Sequence, residues 1–269
     1  MALATLPLVL CVLMLEVAIG GAFLMWYIDR TESAPSGFLR LTGFVDAGAI
    51  AFGGVLLPAL PHGDLVKRAG LDGMALAAFA QVLVVVIVLV VSQLVASFTP
   101  WKVVREVVGI ITVLAGVFDL VLAAVARPSA SPFDVFALLA LPLGALALGG
   151  ANAAMLLGHW YLVTPKLSSG PLQRAALVLV GAVVLQIALV SIAVVRGEIS
   201  LNMESALIVA SGLRVGVGLF MTLAVALAAW WTARMNTQAS TGLLFVGLGC
   251  VIAGEVSARV LFFLTGAAV

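Results

Sequence analysis

Apolar runs long enough to cross a bilayer constrain this chain more than anything else in it, because in hydrocarbon only a helix or a closed barrel satisfies its own backbone. A helical span takes about 20 apolar residues, against roughly 10 for a barrel strand. Runs of helical length recur at 4–27, 38–60, 74–98, 103–126, 133–161, 172–195, 204–233 and 241–265. The expected fold class is therefore all-α: a polytopic membrane protein, a bundle of about eight transmembrane helices forming one transmembrane domain over 1–269. The composition agrees, since 64% of the residues are hydrophobic and 9% are charged, which excludes an ordinary soluble domain.

The connections hold only about 4 to 13 residues each, too few for a soluble catalytic, nucleotide-binding or DNA-binding module. Membrane lipid is thus an expected partner and nucleic acid is not. The first run has no basic residue before it and carries Glu16 at its middle, which argues against a cleaved signal peptide. Cys11 and Cys250 both fall inside spans, as small buried apolar residues, and give no disulfide framework.

Basic residues orient the bundle. The connections after spans 1, 3, 5 and 7, with the adjoining span ends, hold Arg30, Arg40, Lys102, Arg105, Lys166, Arg174 and Arg234; the other side holds Lys67, Arg68, Arg127 and Arg196. By the positive-inside rule the first set is cytoplasmic and both termini lie outside, in a cell (inner) membrane. All the tryptophans and tyrosines, Trp26, Tyr27, Trp101, Trp160, Tyr161, Trp230 and Trp231, belong to the first face. This reads either as a one-sided aromatic belt or as a sign that another subunit covers the poorer face.

Span 1 ends "WYIDRTESAPSGFLR" and span 5 ends "WYLVTPKLSSGPLQR". Their shared Trp-Tyr, Ser-Gly, Leu and Arg fit a parallel repeat of two four-helix halves, 1–130 and 131–269, or simply shared interface chemistry. Small residues at four-residue steps, Gly150/Ala154/Gly158, Gly212/Gly216 and Cys250/Gly254/Ala258, predict close helix packing.

Ionisable residues inside the spans carry the functional signal. Glu16, Asp46, Asp119, Arg214, Glu255 and Arg259 each cost at least about 2.5 kcal/mol at a helix centre, so they should face the interior and pair. Glu255 and Arg259, four apart, meet on one helix face, and are expected to neutralise each other or to reach Arg214 and Asp119. If each arginine takes one acid, two carboxyls remain without a cation. The neutral form of such a group is the cheaper one to bury, which makes these carboxyls candidates to exchange protons; the alternative is an ionic lock that fixes helix register.

His159, at the end of span 5, and His62, in the loop after span 2, lie at opposite surfaces, which argues against a bis-histidine haem b. His159 is a candidate to bind a quinone oxygen or relay a proton. The chain has no Gly-Lys-Ser/Thr phosphate loop, no Cys-x-x-Cys pair and no His-Glu-x-x-His helix. Lys67, Lys102 and Lys166 lie in loops or at span ends, which excludes a mid-helix retinal Schiff base. No metal site is expected.

The final span, "LLFVGLGCVIAGEVSARVLFFLTG", with Gly254, Glu255, Arg259, Phe262 and Phe263, resembles the last helix of the membrane-anchor subunits of dimethyl sulfoxide reductase-type and polysulfide reductase-type molybdoenzymes. The opening "LPLVLCVLMLEVAIGGAFLMW" is similar to that family's first helix. The resemblance implies eight spans with both termini outside, no haem, and binding of menaquinone or ubiquinone in its quinol form. Electrons would pass to an iron–sulfur or other redox subunit docked on the membrane face. At most, then, the chain is the quinol-handling subunit of an oxidoreductase complex. The family's histidine stretch after the second span has only a poor counterpart in "LPALPHGDLVKRAG", so His62 is a weak candidate. Two other classes stay open: a proton-coupled small-molecule or ion transporter, and a membrane scaffold or assembly subunit.

Overall fold

The computed structural model describes residues 2–31, 34–129, 131–164, 167–198 and 205–268. Lys166 of the orientation count, and residues 32, 33 and 165 of the repeated segment, lie outside the described residues. Among the described residues, eight helices are long and apolar enough to cross a membrane, within Thr5–Thr31, Ser36–Ala59, Gly73–Ala96, Lys102–Val125, Val135–Val163, Gly170–Val195, Leu207–Thr232 and Thr237–Thr265. The protein is an integral membrane helix bundle, and an even number of spans puts both ends of the chain at one face. We call this the termini face and the other the aromatic face.

In chain order the helices are α1 (Ala2–Thr31), α2 (Ser36–Val55), the short α3 (Asp64–Arg68), α4 (Gly73–Ala96), α5 (Lys102–Val125), α6 (Val135–Val163) and α7 (Gly170–Val195). The seventh span is composite: α8 (Ser205–Gly212), a π-helical segment Leu213–Met221, and α9 (Thr222–Thr232). α10 (Thr237–Thr265) closes the chain. α4 and α10 start where a polar side chain satisfies the free amides of the helix N-terminus. Asp72 accepts from Met74 and Ala75 N–H at 2.9 Å, and Asn236 accepts from Gln238 and Ala239 N–H at 3.0 and 3.1 Å. α10 ends at Gly266, φ 76°, a left-handed C-cap that also sits hard against the Pro128 carbonyl, so glycine is required there twice over.

α1 packs on α2 and α5, α2 on α4, and α4 on α5; likewise α6 packs on α7 and α10, α7 on α9, and α9 on α10. The two sets meet chiefly through α1 against α6, with α1 also touching α10 and α6 also touching α5. α1 is therefore the core of the bundle, and 78% of its most apolar window is buried. At the α1–α6 crossing the backbones touch: a Cβ on Gly20 or Gly149 would overlap the other helix's main chain.

Among the small-residue stripes, Gly158 packs against Thr241, Ala154 and Ala258 are buried, and Gly254 touches the backbone of Gly218. The Gly212/Gly216 stripe does not pack: both glycines are exposed with open space beside them. Two residues along a helix lie on nearly opposite sides of it, so the inward face of this span carries Arg214 and Gly218 and the outward face Gly212 and Gly216.

The aromatic face carries cation–π pairs, with Arg234 4.2 Å from the Trp230 ring centroid and Arg30 5.5 Å from that of Trp26. The termini face is tied by Arg127, which donates to the carbonyls of Ala124 at 2.8 Å, Ser131 at 2.9 Å and Gly266 at 3.2 Å, joining the end of α5 to the end of α10.

Candidate functional site

Four of the six intramembrane charges converge. Glu255 is the hub: its Oε1 accepts from Arg214 Nη1 at 2.8 Å and from Gln186 Nε2 at 2.7 Å, and its Oε2 accepts from Arg259 Nη2 at 2.5 Å. Arg259 Nε stands 3.0 Å from Glu16 Oε1. Two acids and two bases thus form one neutral network drawn from α1, α7, the π-helical segment and α10. Every member is buried, Glu16 and Arg259 completely.

Local sequence makes the network possible. The Glu-x-x-x-Arg spacing on α10 sets both side chains on one face. The contact of Gly218 with Gly254 brings the π-helical segment close enough for Arg214 to reach Glu255. Gly144 on α6 leaves the space the charges fill, since a Cβ there would overlap Arg259 Nη2, Glu16 Oε1 and Glu255 Oε2.

The remaining two acids stand apart. Asp46 on α2 and Asp119 on α5 are buried, and neither carboxylate oxygen of either has a hydrogen-bond partner. As expected, Glu255 and Arg259 pair with each other and Glu255 reaches Arg214; the expected contact with Asp119 is corrected, because the further acid at Arg259 is Glu16 of α1. Neither histidine joins the network. His159 is exposed at the aromatic face; His62 is exposed on its loop, 3.1 Å from the Leu60 carbonyl, on the rim of an open depression of about 660 Å³.

A second feature lies beside the network. Leu10, Leu13, Met14 and Val17 of α1, Leu148 and Asn152 of α6, and Leu248, Ile252 and Val256 of α10 line a crevice of about 230 Å³. Val17 and Val256 are the neighbours of Glu16 and Glu255 in the chain. The wall is apolar apart from Asn152, whose Nδ2 is buried without a partner.

The chain matches no family model, no curated protein and no solved structure. What it can do must therefore be read from these residues. Among the described residues no group of three or more His, Cys, Asp or Glu could hold a metal ion.

Gln186, Gly144 and Asn152 were not singled out by sequence reading. Gln186 carries a usable signal, as a polar amide inside an apolar span. Gly144 carries none, because many glycines in such spans serve only helix contact.

Proposed function

We propose that this protein is the membrane subunit of a respiratory redox complex, which anchors a redox partner, binds a quinol within the bilayer and handles its protons. The crevice between α1, α6 and α10 supports this reading most directly. It offers an apolar slot for an isoprenoid tail and one unpartnered amide, Asn152 Nδ2, for a quinone oxygen, within a turn of a buried carboxylate network.

Quinol oxidation releases two electrons and two protons. The residues present suit the handling of the protons, because Glu16 and Glu255 are buried carboxylates directly behind the wall residues Val17 and Val256, and Arg214 and Arg259 hold them in a water-excluded site. Electrons need an acceptor outside this chain, which the aromatic face, rich in Trp and Arg, is suited to seat. In this orientation the termini lie outside and the partner docks in the cytoplasm.

A proton-coupled transporter is the second reading, favoured by the arrangement of the spans in two closed sets of four, whose contacts exchange when 1–130 and 131–269 are exchanged. That pattern supports the parallel repeat. No span is unwound among the described residues, which favours the anchor reading. The test is a titration of purified protein with a fluorescent quinol analogue. Leu148→Trp, which fills the slot, should abolish binding, and Asn152→Leu should weaken it while the protein remains folded. Binding unaffected by both would remove the crevice as the quinol site.

A further inference from the structure

The first four spans contain a line of polar atoms that neither the ionic network nor the crevice uses. On α2, Leu39, Thr42 and Asp46 follow at steps of three and four, one stripe facing inward, and all three are buried. Thr42 Oγ1 and both Asp46 carboxylate oxygens have no hydrogen-bond partner. The Asp46 carboxyl lies against Gly21, where a side chain could not fit. At the next residue, the Ala22 carbonyl accepts from Gln93 Nε2 of α4 at 3.1 Å, while Gln93 Oε1 has no partner. Buried polar groups are ordinarily satisfied, and where protein does not do it, ordered water does.

Space for that water leads from the aromatic face as far as Gln93. An open depression of about 290 Å³ there is lined by Leu39, Arg40, Ser97 and Arg105. Leu39, Ser97 and Arg105 also bound an inner cavity of about 10 Å³, which reaches Gln93 and has room for roughly one water. Arg105, fixed to Asp29 at 2.7 Å and to the Thr99 carbonyl at 2.9 Å, stands where the two spaces meet.

We propose that the first four spans hold a proton access path, one water wide, from the aromatic face past Ser97 and Arg105, along Gln93 and Thr42, to Asp46. The amide and the hydroxyl each donate and accept, so each can hold a water in a chain. A hydronium ion at its inner end gives its proton to the Asp46 carboxylate, forming an O–H bond and leaving water. The width excludes larger solutes. The path is a property of α1, α2, α4 and α5 and stands whether or not a quinol binds in the crevice.

The test is silver-ion accessibility in sealed vesicles of full-length protein carrying Cys11→Ser and Cys250→Ala. Thr42→Cys and Asp46→Cys are introduced singly, Ag⁺ is added at one face, and surviving thiols are read by maleimide labelling after denaturation. Silver at the aromatic face should remove labelling of both thiols; silver at the termini face should not. Leu15→Cys, buried in α1, should keep its labelling throughout, and adding Ser97→Trp should restore labelling of Thr42→Cys. If Thr42→Cys and Asp46→Cys resist silver as Leu15→Cys does, or react equally from both faces, the path does not exist. Thr42→Cys is close to threonine in volume and carries the test if Asp46→Cys does not fold.

Discussion

Glu255 is the residue on which the interior depends, because it accepts from two arginines and a glutamine at once. Removing one partner from a buried ion pair typically costs about 3–5 kcal/mol, since the other charge is left behind in low dielectric. Arg259→Leu should therefore lower the melting temperature in detergent sharply. Adding Glu16→Leu should recover much of the loss, because the Glu255–Arg214 pair that remains is neutral by itself. If the double variant is no more stable than Arg259→Leu alone, the Glu16–Arg259 contact does not couple the helices. The charges themselves were legible in the sequence, each being conspicuous among apolar neighbours, and so was the result that two acids would be left over. Which two was not: spacing along a span gives depth, whereas pairing depends on the direction each helix faces. Asp119 and Glu16 differ in that direction.

At the scale of elements, the seventh span shows most clearly where sequence reading stops. Gly212 and Gly216 are spaced for an α-helical contact face, yet they turn outward, because the face of the span that packs is the one carrying Arg214 and Gly218. Nothing in "LRVGVGLFM" announces which stripe packs, nor that the backbone from Leu213 to Met221 is π-helical. Gly218→Val should separate the segment from Gly254, withdraw Arg214 from Glu255 and destabilise the protein. Gly216→Ala, by contrast, should leave the melting temperature unchanged or raise it, since alanine is favoured over glycine in a helix by about 1 kcal/mol. A large loss on Gly216→Ala would place that residue at an interface. Span boundaries were more legible than faces: the observed ends differ from those expected by a few residues, as at Thr31, where α1 runs past 27 and carries Asp29, which Arg105 holds.

For the whole molecule, composition and run length alone led to the all-helical membrane class, because the apolar runs have the length of a helical span and not of a barrel strand. The burial of α1, which the rest of its own set and α6 of the other enclose, was not readable from its sequence, which is as apolar as that of lipid-facing spans. Labels at the two termini should report one face of the membrane, and a label in the connection between α6 and α7 the other. Termini on opposite faces would contradict the eight-span topology.

Whether this bundle serves a redox partner through a bound quinol is tested most directly by purification in mild detergent, with mass spectrometry of co-purifying proteins and quantitation of extracted quinone on the same sample. The predicted result is a co-purifying iron–sulfur or other redox subunit and stoichiometric quinone that is lost on Leu148→Trp. A lone polypeptide without quinone would contradict it.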